Sequence, residues 1–568
     1  MRSKRALLTL LAALLVVALL APALAGCKPD DPMPTTTPTT TPTTTPTATP
    51  TTAPTTDPTT APPSKDEPKF GGILTFPIPK DPGGYDVNRK PSYGPVIGYI
   101  VFGTLVRFDP DLRDLSPKGI IGDLAESWET SADGTVWTFN LNKDATWHDG
   151  TDFTADDVVY SLDKFVDSER SGIASAFSMY ESSEVVDADT VKVTLKYASP
   201  SFLAQLAGPY SSINAKHMAD VDWKTTDFLM GTGPFKFKTS VPGVSFEFER
   251  HDAYHSGPYP YLDGLKVEIM PDRSATMDAM VTGRLDSLLW VLGSYDEDLT
   301  SRVKSGNKDL VWDSYANAYG MMWWLNQDYE PFKDVKVRQA ITMMFDRPTL
   351  TVAGFGSLDW GNTEHAIFPP AYGLETAEIN KIMGWDKPIE DRYTAAKALM
   401  AEAGYADGFK VRILARNVAQ IERQIVVMAD ILKRELGLDT VVESVEITVL
   451  KERRAAGDYD IILEDTRSYV GEPSDITPLF ASDSASNWFG YNNAAADALI
   501  DAQNKEMDVN KRIAQVRDLE RILLEDHYVI PQEWRQYQHA KAPYVKGLYM
   551  QDVGYGSRGA WERVWLDK

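Results

Sequence analysis

In Val136-Trp137-Thr138-Phe139-Asn140-Leu141 the bulky apolar side chains recur at every second position. Trp137, Phe139 and Leu141 therefore share one face and Val136, Thr138 and Asn140 the other, which is the period of a half-buried strand. A polar turn, Ser131-Ala132-Asp133-Gly134, precedes it, and a second turn, His148-Asp149-Gly150, follows. Thr154-Ala155-Asp156-Asp157 then opens an apolar helix, with threonine as N-cap and carboxylates in the first turn, where the helix dipole favours negative charge. Residues 190–195, 244–250 and 265–269 repeat the two-residue alternation, and Gly231-Thr232-Gly233-Pro234-Phe235 is a glycine turn feeding a strand. Gly71-Gly72 likewise opens a strand over 73–76, and 274–280 reads as a helix stopped at Gly283.

From about residue 326 the texture changes to longer helices between strands. Residues 334–347 have helical spacing and are expected to stop before Pro348, and 392–403 form a helix ended by Gly404. A strand at 410–414, a helix at 419–436 ended by Gly437 and a strand at 440–445 follow. Strand–helix–strand order implies an α/β lobe with mainly parallel pairing. After Pro531 the chain turns strand-like and aromatic again, so the tail is expected to rejoin the first half.

The N-terminus is organised differently. Arg2, Lys4 and Arg5 precede an apolar run, Ala6 to Leu20, too short for an ordinary membrane span. Leu24-Ala25-Gly26-Cys27 then matches a bacterial lipoprotein cleavage box, with Cys27 as the lipid acceptor. Cys27 is the single cysteine of 568 residues, so no intrachain disulfide is possible despite export. Residues 34–63 hold only Thr, Pro, three Ala and Asp57, with proline at every fourth position from Pro34 to Pro62. Such a segment buries nothing and cannot offset its ordering entropy. Extended at about 3.1 Å per residue, it makes a stalk of roughly 90 Å. Sugars on its threonines would stiffen it further.

The remaining chain is globular in composition, 43% hydrophobic and 11% aromatic overall, and long enough for more than one core. The formal charge of −24 argues against a nucleic-acid partner. It could favour cationic ligands, although a generally acidic exported surface explains it better.

The ordered blocks LAESW, DGTVWTFNL and WHDGTDFTADDVVYSLDKF, followed by GTGPFKF (231–237), FEFERHDAYH (246–255), FKDVKVRQAITMMFDRPTL (332–350) and AAKALMAEAGYADGFKVRI (395–413), resemble the extracellular solute-binding proteins of family 5. These are the peptide- and nickel-type substrate-binding lipoproteins of ABC importers. The resemblance implies an α/β, periplasmic-binding-protein-like fold of two hinged lobes with an extra inserted domain. Residues 68–112, 227–325 and 533–568 would form lobe one, 113–226 the insertion and 326–532 lobe two, after a signal peptide (1–26) and a lipidated stalk (27–67). It implies a non-enzymatic monomer without cofactor, tethered through Cys27 to the outer face of the cytoplasmic membrane. A small solute or short peptide would be clamped between the lobes and passed to the permease and ATPase subunits.

Such a cleft is expected to be lined by aromatics and a few polar anchors. Candidates are Tyr93 after the first strand, Trp290 after Leu288-Leu289, and Trp323, Trp360, Arg416 and Trp488 from the lobe boundary and lobe two. With 14 tryptophans in the chain, core packing is the better reading for any single one. Specificity is expected over 460–473. Peptide binders of the family present a Trp and an Asp before an acidic-Pro pair, and the Asp holds the peptide amine. Aligning on Glu472-Pro473 puts Thr466 at the Trp position and Tyr469 at the Asp position, so that anchor is missing unless Asp465 or Glu464 substitutes. Arg467 would offer a guanidinium suited to carboxylate or phosphate.

Other chemistry is weaker. His251 and His255 lie four apart in a turn-rich loop without further ligands, so no metal site is expected. Gly554, Gly556 and Gly559 spell a G-x-G-x-x-G with too little chain beyond it for a nucleotide fold. The alternatives from other classes are a secreted polysaccharide-binding or hydrolysing protein, needing two facing carboxylates, and a solute receptor for signalling.

Overall fold

The alternation at 136–141 is realised as the strand Val136–Leu141, whose Trp137, Phe139 and Leu141 are all buried. The computed structural model describes residues 67–90, 94–112, 119–288, 297–468, 470–548 and 561–568. In the inserted segment this strand joins Ala125–Thr130, Thr190–Leu195 and Tyr180–Asp187 in an antiparallel sheet. The helix Ala155–Val166 packs on that sheet. Its N-terminal carboxylate, Asp157, accepts hydrogen bonds from the Thr154 amide (3.0 Å), the Trp147 indole (3.2 Å) and the Lys216 amide (2.8 Å). One side chain thus caps the helix and fixes two neighbouring loops. Asp156 instead pairs with Lys216 at the surface.

The first lobe is built on a four-stranded sheet in the order 73–78, 264–269, 245–250, 235–241. Its first pair is parallel and the others antiparallel. Leu74, Phe76, Phe246, Phe248 and Val267 make its core together with Val545, Trp561 and Leu566 from the far end of the chain, and Trp561 stacks on Phe76.

The second lobe carries a six-stranded sheet in the order 361–362, 529–541, 311–325, 461–467, 410–416, 439–445. Here the expectation of mainly parallel pairing is corrected. Only two of the five pairings, those of 410–416 with 439–445 and 461–467, are parallel, and the other three are antiparallel, because the two long strands enter the sheet in opposite directions. A second correction concerns Pro348. The predicted helix over 334–347 ends at Met343, and Pro348 lies in the first turn of a new helix, Arg347–Phe355. Proline suits that position because a first-turn amide has no intrahelical acceptor to lose. The helix Ala419–Leu436 has the predicted span, and Gly437 closes it in the left-handed region at φ 69°.

The strands Val311–Leu325 and Val529–Lys541 pair in two stretches, at 311–316 and 320–324, and run from one lobe to the other. At one end Trp323, Trp324 and Ile530 lie in the second lobe's core. At the other, Ser287 bridges Lys541, and the Asp286 carboxylate accepts the Thr75 amide at 2.7 Å, joining the ladder to the first sheet. The register shifts between Ala316 and Gly320 and again at Met321–Met322, interrupting the ladder midway.

Buried ions lock the second lobe. Glu520 accepts three backbone amides, from Ile367, Phe368 and Leu374. Glu472, wholly buried, pairs with Arg512 at 2.6 Å and accepts the Tyr372 hydroxyl at 3.0 Å. Arg512→Met strands that carboxylate without its cation, and should cost about 3–5 kcal/mol in urea unfolding. A loss below about 1 kcal/mol, the range of a surface pair, would contradict this account.

Candidate functional site

The strand Ile461–Arg467 has both faces buried for most of its length and delivers its last residues to a cavity of about 700 Å³. That is within the roughly 300–1,000 Å³ typical of small-molecule sites. Its walls come from two bodies. Residues between Ile173 and Ser211 of the inserted segment form one, and residues between Arg454 and Asn504 of the second lobe most of the other, with Lys90 from the first lobe.

The loop after the strand fits the two walls together. Glu472 and its buried partners anchor it, and Ser468 donates to the Glu472 carbonyl. Val470 is buried within the insertion's own hydrophobic core. It fits there because residue 208 is glycine: a Cβ at that position would lie 2.9 Å from a Val470 methyl. Beside it the Gln205 amide donates to Asp475 at 3.1 Å, and Asp475 also accepts from Ser468 and the Val470 amide. A knob and a hydrogen bond thus cross from lobe to insertion at the cavity's edge.

Charge within the second-lobe wall is closely matched. Asp465 accepts Arg416 on one oxygen at 3.0 Å and Arg467 on the other at 2.5 Å. Burial pushes its carboxyl up, but Arg467 and Arg416 outweigh burial and hold it below the ordinary range. Glu464, one residue earlier, is pushed up to about 7 by burial and by the charge of Asp465, against the pull of Arg416 and Arg454. Arg454 stacks on Trp488 at 4.8 Å and reaches Glu464 only at 3.7 Å. Across the cavity, burial lowers the Lys90 ammonium, and Asp475 partly restores it.

Of the residues proposed from sequence, Thr466, Arg467 and Trp488 line the cavity. Arg416 stands behind the wall, orienting Asp465. Trp323 and Trp360 do not line it: both are core residues in this conformation. Trp323 is fully buried, with its indole on Gln532, and Trp360 stacks on Phe355 beside Glu297. Tyr93, Trp290, Tyr469, Cys27 and the glycines at 554–559 lie outside the described residues. Asp465, the possible substitute amine anchor, has both oxygens engaged by guanidiniums. Sequence reasoning missed Gln205, Tyr210, Asp475 and Arg454. The one available signal was Arg453-Arg454 closing the helix Ile447–Ala455: Arg453 pairs with Glu443 and Asp458, while its neighbour turns onto Trp488.

His251 and His255 have separate partners, the Gly233 carbonyl and Asp123, and no cluster of three metal-binding side chains occurs among the described residues. Nor is any helix among them long and apolar enough to cross a membrane.

Comparison with known proteins agrees with this architecture. The family model "Bacterial extracellular solute-binding proteins, family 5 Middle" matches residues 119–488. Heme-binding protein A of Haemophilus influenzae is 27% identical over 493 residues, covering 80% of this chain and 85% of that protein. Periplasmic oligopeptide-binding protein OppA of Escherichia coli is 26% identical over 483 residues, covering 78% and 85%. The crystal structure of the ABC transporter substrate-binding protein CtaP from Listeria monocytogenes superposes with a TM-score of 0.74 at 22% identity, covering 88% of this chain and all of that one. The chain belongs to family 5 of the bacterial extracellular solute-binding proteins, a family of binding proteins and not of enzymes. The glycan-hydrolase alternative is thereby corrected, and the carboxylates lining the cavity are tied up in ion pairs and hydrogen bonds instead of facing each other as an acid/base couple.

Because the folded-state carboxyl of Glu464 lies above its ordinary value, the native state loses stability as pH rises from the ordinary carboxylate range through about 7. The same titration changes the field at Arg454 and the Trp488 ring stacked on it. Trp488 fluorescence is expected to titrate near pH 7 in the parent protein and not in Glu464→Gln, whose stability should fall less over that interval. A titration that persists unchanged in the variant would assign it to another group.

Proposed function

We propose that this chain is the membrane-tethered, extracytoplasmic binding component of an ABC importer, taking a small solute into the cavity between the insertion and the second lobe. Its parts are a signal peptide (1–26), a stalk from the lipidated Cys27 to residue 67, lobe one (68–112, 227–325, 533–568), an insertion (113–226) and lobe two (326–532). Solute touching both walls stabilises the closed arrangement by its extra affinity for that state, and the permease reads the closed shape. Thr466, Arg467 and Trp488 contact the solute, with Arg416 behind them, and Tyr93, Trp290 and Tyr469 are further candidates for that contact. The observation that carries this reading is the cavity itself, walled by two bodies that meet through Val470 at Gly208 and Gln205 at Asp475.

Protein purified without denaturant is expected to show, by native mass spectrometry, one small molecule that is lost on unfolding. Returning that molecule to refolded protein should contract the chain in solution scattering. Unchanged dimensions, or a molecule returned chemically altered, would sink the reading. For the anchor, Cys27→Ala should move the protein from the membrane fraction to the soluble extracytoplasmic fraction, and retention on the membrane would remove Cys27 from the account.

A further inference from the structure

We propose that the cavity selects an acidic, hydroxyl-bearing solute, with the Arg454 guanidinium as its principal anion anchor and Arg467 beside it. The inference rests on the solute-capture reading above and names the chemical class captured.

The charged lining groups among the described residues are Lys90, Arg454 and Arg467 against Asp465 and Asp475. Both carboxylates are already engaged. Asp465 has a guanidinium on each oxygen. Asp475 accepts the Gln205 amide on one oxygen and Ser468 and the Val470 amide on the other. An ammonium ligand would have to displace these donors and then sit among three cations.

The cations are not equally satisfied. Arg454 has its guanidinium carbon 4.8 Å from the centre of the Trp488 ring and a long ion pair to Glu464 at 3.7 Å, and its buried Nε has no hydrogen-bond acceptor. A buried guanidinium N–H without an acceptor is an unmet demand for one, which the oxygen of an anionic solute would meet. Arg467, about a third exposed and lying over Tyr319, adds positive potential on the same side.

A second observation, independent of charge, concerns hydroxyls. Ser199 and Ser201 line the insertion side, Ser474 and Thr477 the other, and the buried Ser474 hydroxyl has no hydrogen-bond partner. Paired hydroxyl walls match a solute that carries hydroxyls of its own. Three lining cations against two lining carboxylates leave an excess of one positive charge at the site, opposite in sign to the chain's formal charge of −24. A positive pocket in an acidic protein concentrates anions locally while the outer surface sets only the long-range field.

The test is calorimetry of the full folded chain, at low and physiological salt, with gluconate, glucose 6-phosphate, glucose, glucosamine and the dipeptide Ala-Ala. Binding is expected for gluconate or glucose 6-phosphate, the responsive one telling a carboxylate site from a phosphate site. Arg454→Gln should weaken it at least about tenfold, and Arg454→Lys should recover part of it, since charge returns without the fork. Both variants should keep the parent's circular dichroism, because Arg454 sits at the cavity edge. Binding confined to glucose, glucosamine or Ala-Ala, or anion binding indifferent to Arg454→Gln and Arg467→Gln, overturns the acidic-solute assignment and leaves solute capture standing. No response from any of the five counts against both.

Discussion

Two antiparallel strands, 311–325 and 529–541, are hydrogen-bonded to each other and form the backbone ladder that ties one lobe to the other. A continuous ladder resists shear and separation because each step would break backbone hydrogen bonds. It yields to twist and bend, which are spread over a few dihedrals. The register shifts around 316–322 interrupt the ladder midway, where bending is least costly. The cavity lies between the insertion and the second lobe, and Trp324 of the ribbon is among its lining residues. Elsewhere in the second lobe the buried Glu472–Arg512 pair and the amides held by Glu520 tie separate elements to one another.

Local order was widely legible in the sequence, because it depends on residues close together in the chain. The alternation at 136–141, the cap at 154–157 and the 419–436 helix with its closing glycine each carry their own signal. Pro348 was misread because a proline marks a helix start as readily as a stop, and only the break at 344–346 decides between them. Sheet direction was misjudged because the two ribbon strands come from distant parts of the chain, and nothing local records that they lie antiparallel.

The site was legible in part for the same reason. Thr466 and Arg467 could be placed because they sit in a recognisable strand-to-loop stretch. Tryptophan as a residue type does not say whether it packs inward or faces a cleft, so Trp323 and Trp360 lie in the core while Trp488 lines the cavity. Gln205 and Asp475 are 270 residues apart, and no periodicity connects them. The pairing of Asp465 by Arg416 and Arg467 matters most, since a list of residues shows an available carboxylate where the fold shows a spent one. Formal charge over the whole chain is a similarly poor guide to the field inside one pocket.

Gly208 offers a consequence of a different kind. Its missing side chain is the socket for Val470, and both residues lie at the cavity where the insertion meets the second lobe. On the solute-capture reading, added bulk at that joint would hinder the jaws from shutting and weaken apparent affinity for any cargo. A single missing side chain would then be a place where one scaffold is recalibrated for scarce or abundant nutrients.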